Sequence, residues 1–329
     1  MQHIPTVKVG EQLHATINLA FDAHEPLLVW GAHGIGKSMI FAQAAVELGV
    51  GLVTRDLSLM EPHDLVGLPR FVDGTTEYAQ PGYLPTEGAG LFLLEEANRC
   101  SELMISCSLE FLTSRRLHLS DYVLPDDWVL CAAANPSNSG YHVQELDPAF
   151  RDRFIEVLAV ADQACWLQWA RAEGLHAAVL TYVADNPRIF DSPLSTPRAW
   201  HKASQVLVAF ERGEHGDETL GSVLGGLVGT QSALAFVQSY AGGLRPLLPD
   251  DILSTYGAKR TSVHEWGRRK RLDLLLASLE SLRKELERRG GVANLSKKMS
   301  SNVETFVGDL PAEFRRKARD WAVVTEAAK

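Results

Sequence analysis

The chain contains Gly31-Ala32-His33-Gly34-Ile35-Gly36-Lys37-Ser38, a G-x-x-x-x-G-K-S motif around which its fold can be predicted. The apolar run 27–30 precedes it, and a helix-like segment begins at Met39. Because glycine tolerates positive φ and has no Cβ, the backbone N–H groups of such a loop can turn inward around phosphate oxygens. The free N–H groups and the dipole of the following helix favour the same anion. Strand, complete motif and helix together favour a nucleotide-binding loop over an ordinary glycine-rich turn.

Within this phosphate loop (residues 31–38), Lys37 is expected to reach the β- and γ-phosphates of the nucleotide, and the hydroxyl of Ser38 is expected to ligate Mg²⁺. The other residues of the loop are candidates for phosphate contacts through their backbone: Gly31, Ala32, His33, Gly34, Ile35 and Gly36. The sequence therefore predicts a site for nucleotide and magnesium where the run 27–30 ends.

The composition indicates a globular protein of more than one domain. The chain has 329 residues, of which 46% are hydrophobic and 22% charged, and this excludes a largely disordered protein. No apolar run approaches the length of about eighteen residues needed to span a bilayer, and the N-terminus lacks a basic region followed by an apolar one. We therefore expect a cytoplasmic protein without membrane insertion. Its four cysteines form no C-x-x-C pair, which favours reduced core cysteines.

Charge is distributed unevenly along the chain. The formal net charge is −9, but residues 258–329 hold 17 Lys and Arg against 10 Asp and Glu, which leaves residues 1–257 at −16. The acidic part argues against general binding to duplex nucleic acid. The basic tail could meet an acidic partner, a nucleic acid, or the acidic part of a neighbouring subunit.

Polar side chains follow two further apolar runs. Glu95 and Glu96 end the run that starts at Leu91, and Asn135 follows the run that starts at Trp128. Parallel strands buried on both faces would deliver these side chains to the carboxyl edge of a sheet, beside the phosphate loop. The first carboxylate could hold Mg²⁺, and the second could act as the base that positions the attacking water. Asn135 would again face the phosphates.

Two arginine-bearing segments follow. Arg151 and Arg153 precede a last strand and could be surface residues of a charged loop, or one could be an arginine finger. The position of this segment after the strand that ends at Asn135 favours the finger. Further on, the sequence from Ser195 to Arg198 has the cap and the proline of a helix start, and it places Arg198 toward the cleft.

From about residue 160 the apolar residues follow a helical period, which predicts a second, α-helical domain. Near the C-terminus, leucines follow a 3-4-3-4 spacing at positions 272, 275, 279, 282 and 286. Such a seam favours a helix packed on its own domain or on a neighbouring subunit over an autonomous coiled coil, because it extends over little more than two heptads.

Taken in order, these motifs resemble those of an AAA+ ATPase, over about residues 5–210. The finer resemblance is to the MoxR branch, since Leu94-Glu95-Glu96-Ala97-Asn98-Arg99 looks like its Leu-Asp-Glu-(Ile/Ala)-Asn-Arg signature. The segment 64–67 resembles the insertion in the second helix region, and 116–125 resembles the hairpin before the sensor strand. The resemblance implies an α/β P-loop NTPase core with a parallel sheet flanked by helices (1–159) and an α-helical lid (160–245). The basic C-terminal helical extension (246–329) lies beyond the resemblance and is not interpreted by it.

Carried over position by position, the resemblance implies the following roles: Lys37 and Ser38 for phosphate and Mg²⁺, Glu95 for the metal, Glu96 as the catalytic base, Asn135 as the first sensor, Arg153 as the finger given to a neighbour's site, and Arg198 as the second sensor. Arg151 is a candidate helper of this finger. The family also implies ATP and Mg²⁺ as cofactors and a homo-oligomeric ring, usually a hexamer. Its MoxR branch implies a remodeller or chaperone that acts on a protein client with a partner carrying a von Willebrand factor A domain.

One residue departs from the pattern, because Glu95 stands where the family has Asp. The extra methylene moves the carboxylate about 1.5 Å further toward Mg²⁺, whose octahedral geometry tolerates little error, so hydrolysis is expected to be slower. Two other hypotheses stay open beside an active remodeller. One is a nucleotide-gated assembly module with weak catalysis. The other is a nucleic-acid motor that uses the basic tail, against which stand the acidic body and the lack of an aromatic-interleaved basic platform.

Overall fold

The structure is a computed structural model that describes residues 4–136, 145–213, 216–240, 246–268 and 271–319. The chain divides into two compact units, described separately below. The first unit comprises residues 1–168 and 190–199, and the second comprises residues 169–189 and 200–329. The end of the expected C-terminal extension, residues 320–329, lies outside the described residues.

The strands belong to the first unit, and six of them form one sheet. In chain order the strands are β1 (Thr6–Lys8), β2 (Leu27–Trp30), β3 (Gly51–Asp56), β4 (Leu68–Val72), β5 (Thr75–Ala79), β6 (Gly90–Glu95), β7 (Arg116–Leu117), β8 (Tyr122–Val123), β9 (Trp128–Ala134) and β10 (Ile155–Val160). The sheet has the order β1-β10-β2-β9-β6-β3, with every neighbouring pair parallel. Its carboxyl edge therefore collects the segments that follow β2, β6 and β9.

Helices cover both faces of this sheet. They are α1 (Glu11–Asp22), α2 (Lys37–Leu48), α3 (Pro62–Val66), α4 (Glu102–Ser114), α5 (Pro148–Arg151) and the first part of α6 (Gln163–Ala172). In β2, Leu28 and Trp30 join one apolar cluster while Leu27 and Val29 join the other, on the opposite face. Because both faces are buried, the central strands read as continuous apolar runs in the sequence.

Two antiparallel hairpins stand apart from the main sheet, β4–β5 and β7–β8. The turn of the first hairpin contains Asp73 (φ 52°) and Gly74 (φ 83°), and two positive φ angles are what a tight two-residue hairpin turn requires. An Asp-Gly pair between two strands is the sequence signal for such a turn, and Asp73-Gly74 forms one here.

One predicted helix face is wrong in part. The spacing of Leu103, Met104, Cys107 and Phe111 predicts a common buried face on α4, yet Leu103 is 70% exposed. The buried positions of α4 are 104, 108, 111 and 112. At about 100° per residue, positions 108, 111 and 112 lie within about 80° of Met104, whereas Leu103 lies about 100° away on the other side of the helix. The sequence alone does not select which of the two adjacent residues joins the buried face.

The described residues of the second unit are helical. The helices in this part of the chain are the end of α6, α7 (Ala177–Asp185), most of α8 (Pro197–Arg212), α9 (Asp217–Val228), α10 (Thr230–Ser239), α11 (Pro249–Arg268), α12 (Leu272–Arg288), α13 (Lys297–Asp309) and α14 (Ala312–Arg319). The leucine seam of α12 packs within its own chain, since Leu275, Leu279, Leu282 and Leu286 are buried in a cluster shared with α11 and α13. Leu272 is 37% exposed and lies outside that cluster.

Asp309, at the end of α13, ties α13 to α11. It accepts hydrogen bonds from the Tyr256 hydroxyl (2.8 Å) and the Arg260 guanidinium (2.7 and 2.9 Å), and His264 lies 3.0 Å away. Burial favours the neutral acid, but these hydrogen bonds outweigh it and hold the pKa of Asp309 at about 2. Within the described ranges no helix has both the length and the apolar character needed to cross a bilayer.

Candidate nucleotide-binding site

The phosphate loop connects the carboxyl end of β2 to the first residue of α2. Gly34 (φ 72°) and Gly36 (φ 108°) adopt positive φ angles, a region that side chains with a Cβ disfavour. Gly31 is confined sterically, because a Cβ at this position would lie 2.6 Å from Cδ1 of Ile35 and 2.9 Å from the carbonyl oxygen of Ala159. The loop conformation therefore depends on its glycines.

The ammonium of Lys37 lies inside this loop. Its Nζ donates to the carbonyl oxygens of Gly31 (2.6 Å) and Ala32 (3.1 Å) and to Oδ1 of Asn135 (3.2 Å). Burial lowers the pKa of Lys37 to about 8, although the charges of Glu96 and Glu95 oppose this shift. An anionic phosphate at the loop would favour the charged ammonium, so this desolvated cation fits a phosphate ligand.

The carboxylates and the asparagine that follow β6 and β9 meet at the same place. Because β6 pairs with β9 and β9 pairs with β2, their carboxyl ends lie side by side at the phosphate loop. Nδ2 of Asn135 donates to Oε2 of Glu96 at 2.8 Å, and the Ser38 hydroxyl donates to Oε1 of Glu95. The structure thus brings Lys37, Ser38, Glu95, Glu96 and Asn135 into one connected cluster.

Glu96 occupies an unusual backbone position. Its φ is 52°, in the left-handed region, which costs a residue with a Cβ about 1–2 kcal/mol. The neighbouring structure holds it there, since Ala97 N–H donates to the Ala133 carbonyl at 3.0 Å and the Arg99 guanidinium lies 3.3 Å from Oε2 of Glu96. This bend after β6 turns the Glu96 carboxylate toward Asn135.

Asn98 contributes a contact that the sequence does not single out. Its Nδ2 donates to the backbone oxygen of Asn135 (2.7 Å), and its Oδ1 accepts from the backbone N–H of Asn135 (3.2 Å). Both residues are almost fully buried, with 1% and 4% of their surface exposed. This reciprocal pair fixes the backbone from which the Asn135 side chain reaches Lys37 and Glu96. Asn98 lies in the segment 94–99 quoted above, but the residue types alone give it no role.

The start of α8 covers the phosphate loop from the other side. The Arg198 N–H donates to the Gly34 carbonyl at 3.0 Å, and Thr196 Oγ1 caps the helix by accepting from Ala199 N–H at 3.1 Å. A Cβ on Gly34 would lie 3.0 Å from that same Thr196 oxygen. Burial lowers the pKa of His33, and the charges of Lys37 and Arg198 lower it further, so Arg198 adds positive potential at the loop.

Arg153 lies at the opposite edge of the sheet. It precedes β10, whose first residue, Ile155, donates its N–H to Pro26 before the start of β2. The Arg153 Nε donates to Thr113 Oγ1 at 2.6 Å, near the end of α4, and its Nη1 contacts the Ala149 carbonyl. Since α4 starts at the carboxyl edge and runs about 20 Å back along the sheet, its end lies far from the phosphate loop of the same chain. Arg153 is the predicted site residue that the structure does not bring to the cluster.

The donor set fits the ligands that the sequence predicts. Hydroxyl and carboxylate oxygens are the ligands that Mg²⁺ prefers, and those of Ser38 and Glu95 lie in direct contact. A glycine-dependent loop and a buried lysine at a helix start provide the phosphate-binding groups.

Comparison with known proteins gives a family match for part of the chain. Residues 26–154 match the family model described as the AAA domain, dynein-related subfamily. The match spans the phosphate loop, the hairpins, the Glu95–Glu96 pair, Asn135 and Arg153. The first unit has the P-loop AAA+ fold, and the helical C-terminal region is added to it.

Solved structures similar to the chain include a predicted ATPase from Cytophaga hutchinsonii (20% identity, TM-score 0.41), where the match covers 50% of this chain and 52% of that protein. The chain thus spans about half the length of that relative. A point mutant of RuvB from Thermotoga maritima is 14% identical (TM-score 0.43; 75% and 77% covered). NtrX from Brucella abortus, solved with ADP, is 14% identical (TM-score 0.44; 94% and 69% covered). No curated protein matches the sequence.

Proposed function

We propose that this chain is a cytoplasmic ATPase of the MoxR type, which binds ATP and Mg²⁺ and hydrolyses ATP at sites shared between the subunits of a hexameric ring. The observation that carries this proposal is the separation of Arg153 from the cluster around Lys37. The candidate base, the candidate sensor and the phosphate loop lie at one edge of the sheet, and the candidate finger lies at the other. A single AAA domain arranged in this way lacks a complete site on its own.

In this proposal the residues at the carboxyl edge of the sheet have separate roles in binding and hydrolysis. The loop N–H groups and Lys37 bind the phosphates, while Ser38 and Glu95 would hold Mg²⁺, which when bound neutralises charge on the β- and γ-phosphates. Glu96 orients the attacking water and accepts its proton, and the 2.8 Å hydrogen bond from Asn135 fixes the direction of its carboxylate. Arg198 adds positive charge beside the loop.

Arg153 would act on the neighbouring subunit. The distance along β2 from the level of Ile155 to the phosphate loop is about 13 Å at the usual rise per strand residue, and the Arg153 guanidinium is directed to Thr113 instead. A finger supplied by a neighbour stabilises the charge of the transition state and is worth about 10³–10⁵ in kcat. In this proposal Arg153, at the amino edge of one subunit's sheet, completes the site at the carboxyl edge of its neighbour's sheet.

The decisive experiment is complementation between two inactive variants. Glu96→Gln removes the base but keeps the finger, and Arg153→Ala removes the finger but keeps the base. Each variant alone should turn over ATP at least about 100-fold more slowly than wild type, and their mixture should recover turnover because some sites combine both intact halves. Arg288→Met, on the exposed surface of α12, is the control for the loss of an arginine. Wild-type turnover in either variant, or no recovery on mixing, would rule the shared site out.

The remodelling role is proposed from the MoxR-like signature and from the exposed surface of the β4–β5 hairpin. On that hairpin Phe71 is 82% exposed and Leu68 59% exposed, and large exposed apolar side chains favour contact with other proteins. We propose a protein client and a partner with a von Willebrand factor A domain. Capture with the Glu96→Gln variant and ATP should retain both. Retention of the same proteins without nucleotide would contradict the proposal.

A second candidate is a nucleotide-gated assembly module with slow hydrolysis. It is favoured by the direct contact between the Ser38 hydroxyl and the Glu95 carboxylate, because both oxygens must exchange that contact for the metal. If the chain is such an assembly module, Glu95→Asp should raise kcat by about tenfold or more, because the shorter side chain withdraws the carboxylate by about 1.5 Å. ATP-dependent assembly should stay unchanged. An unchanged or lower kcat would remove the reason for this candidate.

The described cations of the tail do not favour a nucleic-acid motor. Several are used in ion pairs within the second unit: Lys259 with Asp251, Arg260 with Asp309, Arg288 and Arg289 with Glu285, and Lys317 with Glu280. Surface charge that is already paired contributes little to phosphate binding. Binding of DNA or RNA at low salt, with stimulation of ATP turnover, would instead favour the motor.

A further inference from the structure

The Glu156 carboxylate links the segment that carries Arg153 to the sheet. Arg151, the last residue of α5, donates from Nε to Oε1 of Glu156 (2.9 Å) and from Nη2 to Oε2 (2.8 Å). The same Oε2 accepts from the indole Nε1 of Trp30 at 3.1 Å. The Arg151 guanidinium also lies 5.8 Å from the centre of a Trp30 ring, within the range of a cation–π contact.

This arrangement joins the two halves of the proposed site. Trp30 is the last residue of β2 and is directly followed by Gly31 of the phosphate loop. Arg151 precedes Arg153 by two residues, and Glu156 is the second residue of β10. The Glu156 carboxylate therefore connects the strand that leads into the phosphate loop with the turn that bears the candidate finger.

Arg151 is not itself available as a finger in this arrangement. Its two-pronged ion pair with Glu156 uses Nε and Nη2, and the Glu156 side chain is only 16% exposed. Withdrawal of Arg151 toward a nucleotide would leave a largely buried carboxylate without its counter-ion.

We infer that Arg151 is a positioning residue, which through Glu156 and Trp30 sets the orientation in which Arg153 is offered to the neighbouring subunit. Phe150, fully buried and 5.3 Å from the Phe154 ring, anchors the turn by apolar contacts that have little directional preference. The parallel hydrogen bonds of an arginine–carboxylate pair do fix direction. This inference rests on the proposed function, since it concerns a finger that acts between subunits.

The test uses Arg151→Met, which keeps the length of the side chain but removes the charge and the hydrogen bonds. Misplacement of a reacting group by about 1 Å can cost 100-fold, so kcat should fall about 10- to 100-fold. The Kd for ATP should stay within about twofold of wild type, because the phosphate loop of the same chain is intact. Glu156→Gln should show the same pattern, and it keeps the test open if Arg151→Met does not fold. Arg288→Met breaks an equivalent two-pronged pair with Glu285 in the second unit and serves as the control.

Mixing with Glu96→Gln separates positioning in trans from a structural effect. In an equimolar mixed ring about a quarter of the sites combine an intact base with a well-placed neighbouring Arg153, so turnover per chain should recover to about a quarter of wild type. No recovery would mean that Arg151 acts on the site of its own chain, and it would overturn the inference, as would wild-type kcat in Arg151→Met alone. If the Glu96→Gln and Arg153→Ala mixture also fails to recover, the shared site itself is refuted. If that mixture recovers and the Arg151→Met mixture does not, only the positioning role is refuted.

Discussion

Asn98 offers the sharpest test of how the cluster is held together. Asn98→Ala removes both side-chain partners of the Asn135 backbone, the donor at 2.7 Å and the acceptor at 3.2 Å. Each buried polar group left unsatisfied costs about 1–3 kcal/mol, so the loss of both should lower the free energy of unfolding of the first unit by about 3 kcal/mol. The backbone of Asn135 would also be free to shift, which should reduce kcat about tenfold because its side chain orients Glu96.

The stability change is measured by urea unfolding, followed through hydrogen exchange of peptides from β9 so that the first unit is observed separately. The matched control is Asn18→Ala on α1, whose side-chain amide makes a weak contact of 3.4 Å with His14 and whose loss should cost less than about 0.5 kcal/mol. If the free energy of unfolding of Asn98→Ala lies within about 0.5 kcal/mol of wild type and ATP turnover is unchanged, Asn98 does not hold the Asn135 backbone in place.

Three further outcomes are expected. Gly36→Ala should abolish ATP binding detectable by calorimetry and lower the melting temperature, because φ is 108° at this position. The control is Gly226→Ala within α9, where a Cβ meets nothing within 4 Å, and this variant should raise the free energy of unfolding by about 0.5–1 kcal/mol. Met104→Ala should cost about 2–5 kcal/mol in urea unfolding and Leu103→Ala less than about 0.5, and similar costs would contradict the buried face of α4. Since the pKa of Asp309 in the folded protein lies below its ordinary 3.8, its contribution of about 2 kcal/mol to the free energy of unfolding should be present above pH 4 and lost as the pH falls toward 2. The difference in unfolding free energy between wild type and Asp309→Asn should therefore shrink over that pH range. A difference that stays constant would contradict the hydrogen-bond network around Asp309.

The sequence predicts the sheet well where strands are buried on both faces. The bounds that it predicts for β2 and β9 are those of the structure, because a continuous apolar run between polar breaks defines each of them. The β4–β5 turn is predicted from Asp73-Gly74 for an equally local reason, the need for positive φ. Features that depend on two or three neighbouring residues are thus accessible without the structure.

The contacts that organise the site are not local, and the sequence does not reveal them. Asn98 and Asn135 pair only because β6 lies beside β9, and Trp30 meets Glu156 only because β10 lies beside β2. Arg151 and Arg153 are the same residue type two positions apart, and the sequence does not show which partner each one binds. In the structure Arg151 is bound to Glu156 and Arg153 to Thr113. Strand order decides these partners, and strand order is a property of the whole chain.

The position of Arg153 has a consequence for how activity depends on concentration. A single chain holds two half-sites at opposite edges of one sheet, so under the proposed mechanism a monomer has no complete site. An open, linear assembly would leave one half-site unpaired at each of its two ends. In a closed ring, by contrast, both half-sites of every subunit are paired with a neighbour. ATP turnover per chain is therefore expected to rise with protein concentration and to level off where assembly is complete, as mass action requires of any active species that is not the monomer.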